Sequence, residues 1–146
     1  MKKTRFILHD VNYKIKHKKC SVDSVSIGYN DRVETFMVDT DPNVDLNIGE
    51  TYEAYLKGFI LRFAEKPVNE KKDYIDVIDA EIVKVEEDGD DFIYLMVDSA
   101  KGPMILSYNK KRLGASQLIP GLTIRVEIAQ FINFSDDCTE GFQNIY

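Results

Sequence analysis

The sequence predicts an all-β fold of two small β-barrels in tandem, and three observations support this. The motif Leu-x-x-Gly-x-Thr occurs at residues 46–51 and again 72 positions later at residues 118–123, and Phe-Ile follows each copy at the same distance. Residues 11–18 alternate between apolar and polar side chains, the period of a half-buried strand. Tight-turn dipeptides such as Asn30-Asp31 separate apolar stretches. The recurring Gly-x-Thr turn predicts two halves of one topology. A single larger β-sandwich is the alternative.

Four strands are predicted in the first half, at residues 11–18, 25–29, 33–38 and 51–63. The first strand has Val11, Tyr13, Ile15 and His17 on one face and lysines on the other. The Asn30-Asp31 turn makes the second and third strands a hairpin. A loop of Asp, Pro, Asn and Gly residues follows at 39–49, and Gly58 marks a bulge or bend in the fourth strand.

The second half repeats this order, with strands predicted at residues 74–85, 92–97, 104–108 and 124–128. Asp88-Gly89 is a hairpin signal between the first two of them. The continuous apolar run at 92–97 suits a central strand. Residues 109–118 are expected to form either a short helix or an irregular loop.

Each half therefore has the element order of a five-stranded barrel, which resembles the architecture of the oligonucleotide-binding type. The predicted organisation is a first barrel at residues 1–66, a linker at 67–75 and a second barrel at 76–146. A barrel of this size buries only about 60% of its unfolded surface, so we expect the two to pack together.

Composition indicates a cytoplasmic binding protein. The 146 residues are 44% hydrophobic, carry a net charge of −6, and contain no apolar run long enough to span a membrane. Cys20 and Cys138 are far apart and suit no metal spacing, which favours reduced thiols. Charge lies in blocks: residues 1–20 and 101–125 are basic, and the segments between and after them are mostly acidic.

The basic blocks indicate a groove for single-stranded nucleic acid. Lys14, Lys16 and Lys18 form a one-sided stripe, because alternate residues of a strand point the same way. Tyr55 is expected to point outward from its strand and to stack on a base, and Lys110, Lys111 and Arg112 supply a second basic segment. Lysines on a sheet edge also prevent edge-to-edge aggregation, and this explanation of the stripe stays open.

The acidic blocks suggest two other roles. Asp39, Asp41, Asn43, Asp45 and Glu50 fall at positions that resemble an EF-hand calcium loop, although Val44 stands where that loop needs glycine and the flanks are strand-like. No cofactor is expected, and calcium is the one candidate ion. The acidic segments at 39–50 and 86–91 also suit a protein-binding adaptor or inhibitor that engages a basic partner or mimics nucleic-acid charge. Oligomeric state and the identity of the partner are not predicted.

An enzyme is not expected. The sequence has no Gly-x-Ser-x-Gly elbow, no glycine-rich phosphate loop and no His-x-x-x-His metal spacing. His9 and His17 are the only histidines, and His17 continues an apolar strand face. The sequence therefore predicts a binding protein whose surface, and not a reactive group, performs its task.

Overall fold

Eight strands form one sheet in a computed structural model of the chain, which describes residues 2–40, 42, 45–63, 74–89, 91–113 and 118–135. The strands are β1 (Thr4–Lys16), β2 (Lys19–Tyr29), β3 (Arg32–Thr40), β4 (Thr51–Phe63), β5 (Ile75–Asp88), β6 (Phe92–Ser99), β7 (Gly102–Asn109) and β8 (Thr123–Asn133). One helical turn, α1 (Lys110–Leu113), follows β7. The predicted all-β class is confirmed.

Strand pairing closes two circuits that share β4 and β8. The sheet order is β1-β2-β3-β8-β4-β7-β6-β5, and further pairings join β1 to β4 and β5 to β8. One circuit therefore contains β1, β2, β3, β8 and β4, and the other contains β5, β6, β7, β4 and β8. In both circuits the third strand of one half runs parallel to the fourth strand of the other half. Each half thus closes the circuit of the other.

The sequence repeat becomes a local twofold relation in the central β4–β8 ladder. Gly58 lies opposite Gln130, and these two residues are themselves separated by the repeat offset of 72. Two pairs flank this position, Leu56 with Ile132 and Ile60 with Ile128. Shifting each residue of one pair by 72 positions gives the other pair. The two copies of the repeat therefore pair with each other across the centre of the molecule.

The Gly-x-Thr turns hold the same geometry in both halves. Gly49 has φ of 91° and donates its N–H to the carbonyl of Leu8 at 2.8 Å, and Gly121 has φ of 89° and donates to Ile82 at 2.7 Å. Glycine adopts this left-handed conformation without the steric cost of a Cβ atom. The repeat predicted from sequence is thus a repeated turn that fastens the start of the fourth strand to the first.

One hydrophobic core extends through both circuits. The first part of β4 pairs with β1 and the later part with β7, while β8 pairs first with β5 and then with β3. Even-numbered side chains of these strands, including Leu56 and Ile128, share a buried cluster with Phe36 of β3 and Leu95 of β6. The long strands therefore carry one apolar face past both sets of neighbours.

The interpretation as two separate tandem barrels is not confirmed. Strands of both halves belong to one sheet, because each half supplies four strands and the fourth strand of each is shared. The domain boundaries at 66 and 76 stay a prediction. Of the predicted linker, residues 67–73 lie outside the described residues, and Ile75 begins β5.

The first strand is longer than its sequence pattern predicts, because a bulge interrupts the pattern. Leu8 pairs with Ile27 and Asp10 with Ser26, so His9 is an extra residue in β1. Because of the bulge, even-numbered side chains of β1 point inward before His9 and odd-numbered ones point inward after it. The sequence alternates regularly between apolar and polar residues only after the bulge. At the other end, β1 stops at Lys16, since His17 and Lys18 form a two-residue turn with φ of 53° and 61°.

Gly58 is required for close packing and does not form the predicted bulge. A Cβ atom at this position would lie 2.7 Å from Cδ2 of Leu106 and 3.0 Å from Cδ1 of Ile128. The register irregularity of β4 lies further along, between Ile60 and Arg62. The absent side chain lets β7 and β8 approach β4 where the two circuits meet.

A buried ion pair lies on the face of β4 opposite the core cluster. Lys57 is fully buried, and its ammonium group pairs with the carboxylate of Asp39, whose side chain is 2% exposed. At the position of Lys57 in the other copy of the repeat stands Ala129. Only one half therefore carries this charge.

A second ionic network joins the two halves. The ammonium of Lys101, in the β6–β7 turn, lies 2.5 Å from Oε1 of Glu34 and 2.9 Å from Oδ2 of Asp76. Tyr29 donates its hydroxyl to the other oxygen of Glu34 at 2.8 Å. Burial, and then this hydrogen bond to Glu34, raise the pKa of Tyr29. The network ties the β2–β3 hairpin to the start of β5.

Replacing Gly58 with alanine is expected to destabilise the protein by a net amount of about 1–2 kcal/mol, because overpacking outweighs the smaller entropy of the unfolded alanine chain. Urea unfolding followed by circular dichroism measures this. Glu53→Ala, at an exposed position of the same strand, is the control and should change stability by less than about 0.5 kcal/mol. Equal stability of the two variants would show that the contact with Leu106 relaxes without cost.

Lys57→Met is expected to destabilise the protein by about 3–5 kcal/mol, because it leaves the carboxylate of Asp39 buried without its cation. The double variant Lys57→Met, Asp39→Leu should recover most of this loss. Lys84→Met is the matched control, since its pair with Glu86 is exposed to solvent and exposed ion pairs contribute little to stability. Unfolding free energies that are the same for the single and double variants would contradict the argument.

Candidate nucleic-acid interface

The β1–β2 hairpin extends past the strands that cover its base. β1 pairs with β4 only over its first residues, from Thr4 to Ile7, and β2 pairs with β3 only from Ser24 onward. Beyond these limits the hairpin is a two-stranded ribbon. Its apolar face is consequently open, with Tyr13 60% and Ile15 83% exposed.

Of the predicted lysine stripe, the structure describes the side chains of Lys14 and Lys18. Lys14 is half-exposed and lies 3.3 Å from Asp23. Lys18 belongs to the turn and not to the strand, so it extends the basic surface around the tip, where exposed Lys19 follows. The backbone of Lys16 lies in β1, and its side chain is outside the described part of the structure. The tip is therefore basic on more than one side.

Tyr55 lies on the outward face of β4 but is only partly accessible. Its strand neighbour across the ladder is Asn133. The ammonium of Lys3 lies 5.5 Å from the centroid of its ring, within the range of a cation–π contact. A base that stacked on this side of the ring would have to displace Lys3.

The second basic segment lies against the acidic hairpin tip of its own half. Lys110 and Lys111 belong to α1 and lie 3.3 Å from Glu87 and 3.2 Å from Asp91, respectively. The main-chain N–H of Lys110 also donates to the carbonyl of Asp91 at 2.8 Å. The side chain of Arg112 is outside the described part. Opposite charges that are separate in sequence thus partly neutralise each other here.

The ion pairs of the predicted basic residues do not bring these residues together in one groove. Lys14 makes its ion pair within the β1–β2 hairpin, and Lys110 and Lys111 make theirs with the β5–β6 hairpin. The two hairpins hold equivalent places in the two circuits. The structure therefore presents one hairpin with exposed lysines and one in which Glu87 and Asp91 already face lysines.

The loop that resembles a calcium site has its first carboxylate directed elsewhere. Asp39 faces Lys57, and the hydroxyl of Tyr52 lies 3.1 Å from the main-chain carbonyl of Asp45 and 3.4 Å from Oε2 of Glu50. Two candidate ligands, Asp41 and Asn43, lie outside the described residues. In the parts of the chain that are described, no group of three or more His, Cys, Asp or Glu side chains is arranged to hold a metal ion.

A depression lies beside the ribbon, between β2 and the loop that follows β3. It has a volume of about 270 Å³, and its lining includes the side chains of Tyr13, Cys20, Val22 and Leu46. The adjoining strand edge belongs to the segment of β2 that β3 does not cover. Ser21 and Asp45 also line it, so the depression combines polar and apolar walls beside this strand edge.

Sequence reasoning placed Tyr13 and Ile15 on a buried face and did not single out Lys57 or Lys101. The alternation of the first strand is real, but the strands that cover the hairpin end before they reach Tyr13. A local sequence pattern does not indicate where neighbouring strands end. A lysine inside an apolar strand, as at Lys57, was the one available signal for a buried charge, since charged side chains are rarely fully buried without a partner.

No protein-family model matches the chain, and no curated protein is significantly similar to it. Within the described residues, no helix is long and apolar enough to cross a membrane. A function for this chain therefore has to be inferred from its own geometry.

Proposed function

We propose that the protein is a non-catalytic binding protein that holds single-stranded nucleic acid on its β1–β2 hairpin. The observation that carries this proposal is the exposed basic tip of that hairpin in a chain of net charge −6. The binding of phosphate groups is most favourable where lysines are not already neutralised by neighbouring acids. Lys18 and Lys19 make no ion pair with the described residues, unlike Lys110 and Lys111.

The order of strands supports the same proposal. The strand order is consistent with oligonucleotide-binding barrels that each take their last strand from the other half, since β8 lies parallel to β3 in the first circuit and β4 lies parallel to β7 in the second. We propose that the fold consists of two such units, which share β4 and β8. In oligonucleotide-binding barrels the loop between the first two strands is one of the elements that contact nucleic acid. The β1–β2 hairpin is that element in the first circuit.

An exposed aromatic ring completes the ingredients of the site. Tyr13 is 60% exposed on the ribbon, whereas Tyr55 is partly buried with Lys3 over its ring. Bases stack on aromatic side chains without regard to sequence, which suits a strand held mainly by its phosphates. We therefore assign the stacking role to Tyr13 in preference to Tyr55. Because Tyr13 lies on the face of the ribbon opposite Lys14 and Lys19, the bound strand would pass around the hairpin tip at Lys18.

The rival proposal, a protein-binding adaptor that uses its acidic segments, has less support. Near the β5–β6 tip, Glu87 lies against Lys110 and Asp91 lies against Lys111. Asp39 lies against Lys57. A basic partner would have to compete with these internal cations. Binding of a basic protein to the acidic segments stays the alternative proposal, and it requires a partner that displaces these lysines.

Binding of a fluorescent oligothymidylate is expected to weaken about twentyfold when salt rises fourfold from about 50 mM. Three lysine–phosphate contacts give a slope near −2 for the logarithm of affinity against the logarithm of salt, since each neutralised phosphate contributes about −0.7 in a single strand. Fluorescence anisotropy measures the affinity at each salt concentration. No binding at the lowest salt would exclude the proposal.

Charge reversal distinguishes the two basic segments. Lys18→Glu with Lys19→Glu should weaken oligonucleotide binding by about tenfold or more, because repulsion replaces two phosphate contacts. Lys110→Glu with Lys111→Glu changes net charge by the same amount and is the matched control, with an expected change below about threefold. Melting temperatures of both variants establish that they remain folded. Equal losses in both would assign the effect to net charge and not to the hairpin.

A further inference from the structure

In one half of the molecule, no strand of the described residues lies beside the first residues of β2 on the edge away from β1, whereas the equivalent edge in the other half is covered. In the second half, β7 pairs with β6 to the end, with Tyr108 opposite Ile93 and Asn109 opposite Phe92. In the first half, β3 pairs with β2 only as far as Met37 opposite Ser24. The segment of β2 from Lys19 to Asp23 therefore has β1 on one side and no described strand on the other.

A bulge separates β2 from its neighbour. Asn12 pairs with Ser24 and Tyr13 with Val22, so Asp23 is an extra residue in β2. A bulge bends its strand and increases the local twist, which directs the ribbon away from β3. On its other edge, β3 pairs with β8 from Met37 onward.

The orientation of the edge follows from the turn. A two-residue turn is closed by a hydrogen-bonded pair, here Lys16 and Lys19, and such pairs alternate along an antiparallel ladder. Ser21 is in the next hydrogen-bonded pair. Cys20 and Val22 lie in the intervening pairs, so their N–H and C=O groups point away from β1, and no described residue pairs with them there.

We propose that the open edge of β2 at Cys20 and Val22 binds an extended segment of a partner protein, which adds to the sheet as an antiparallel strand. The covered half of the molecule indicates the direction and the fit, because β7 lies antiparallel on β6 and places the fully buried Tyr108 opposite Ile93. Strand addition of this kind takes affinity from the main chain and specificity from alternate side chains.

The two faces of the ribbon define the chemistry of the partner. Tyr13, Cys20 and Val22 share the face that borders the depression, and the exposed side chain of Ile15, which pairs with Cys20, lies on the same face. This face of the ribbon therefore offers apolar contacts to alternate side chains of the partner. Lys14 and Lys19 share the other face with Ser21. The segment that fits both faces alternates apolar with acidic residues.

A second copy of this chain fits the edge less well. Antiparallel pairing of two β2 edges would bring the lysine-rich tips of both hairpins to one ribbon, and like charges at cross-strand positions destabilise a sheet. An acidic segment removes that repulsion.

The test uses a short synthetic peptide that alternates glutamate with valine and tyrosine, together with an N-methylated copy that cannot donate main-chain hydrogen bonds. We expect the unmodified peptide to bind and the methylated one to bind at least about tenfold more weakly, the effect of losing about one net hydrogen bond or more. Equal binding of the two peptides would overturn the proposal, since charge alone would then explain the interaction. No binding of either peptide would also overturn it.

Amide hydrogen exchange provides a readout that charge attraction does not produce. On peptide binding, exchange at Cys20 and Val22 should slow, and exchange at Ser21 should change little because its amide already pairs with Lys14. Uniform protection along the hairpin, or none, would contradict strand addition. Slowing of the same two amides in the free protein as its concentration rises would instead identify a second copy as the occupant.

Cys20→Pro is the matched variant, because it removes a donor on the open edge without removing a β1–β2 hydrogen bond, and proline is tolerated at such edge positions. Cys20→Val keeps the donor and is its control. Peptide affinity should fall about tenfold or more in the first and stay within about twofold in the second, at melting temperatures that confirm folding. Oligonucleotide binding should not differ between these variants, so failure here and failure of the proposed nucleic-acid site are separable.

Discussion

The antiparallel ladder between β4 and β8 is the constraint on which the rest of the structure depends. Both strands run through both circuits, so their pairing fixes where every other strand can lie. Gly58 opposite Gln130 marks its centre, and the missing Cβ of Gly58 sets how closely β7 approaches. The first three strands of each half then pack against the two fourth strands. A change at this ladder is felt by both halves, because they share its core face.

The equivalence of the two halves makes their differences informative. Both have a first hairpin, but in one half it is a ribbon with exposed lysines and an open edge, and in the other it is acidic, covered by β7 and paired with α1. Asp23 accounts for part of this, since the bulge there parts β2 from β3. The binding surfaces that we propose lie where the repeat is broken, and the regular parts of the repeat serve the fold.

Local sequence signals predicted what local forces determine. The Asn30-Asp31 turn, the glycine turns and most strand positions follow from backbone preferences and alternation. The exchange of fourth strands was not predictable, because it depends on which distant strand completes each circuit. Tyr13 was misplaced for the same reason: its pattern is that of a buried residue, but the covering strands end before it. The pairing of Lys110 with Glu87 likewise joins residues that only the fold brings together.

The sharing of β4 and β8 has a consequence for how such a chain arises. A single half has only four strands, and in isolation the edges that the other half closes would be exposed. Two identical halves would close both circuits as a symmetric dimer, so joining two copies of one gene preserves a complete fold from the first step. Once joined, the copies are free to diverge, and position 14 in one hairpin can hold lysine while its counterpart in the other, position 86, holds glutamate. Duplication in this architecture permits one unit to specialise while its twin maintains the scaffold.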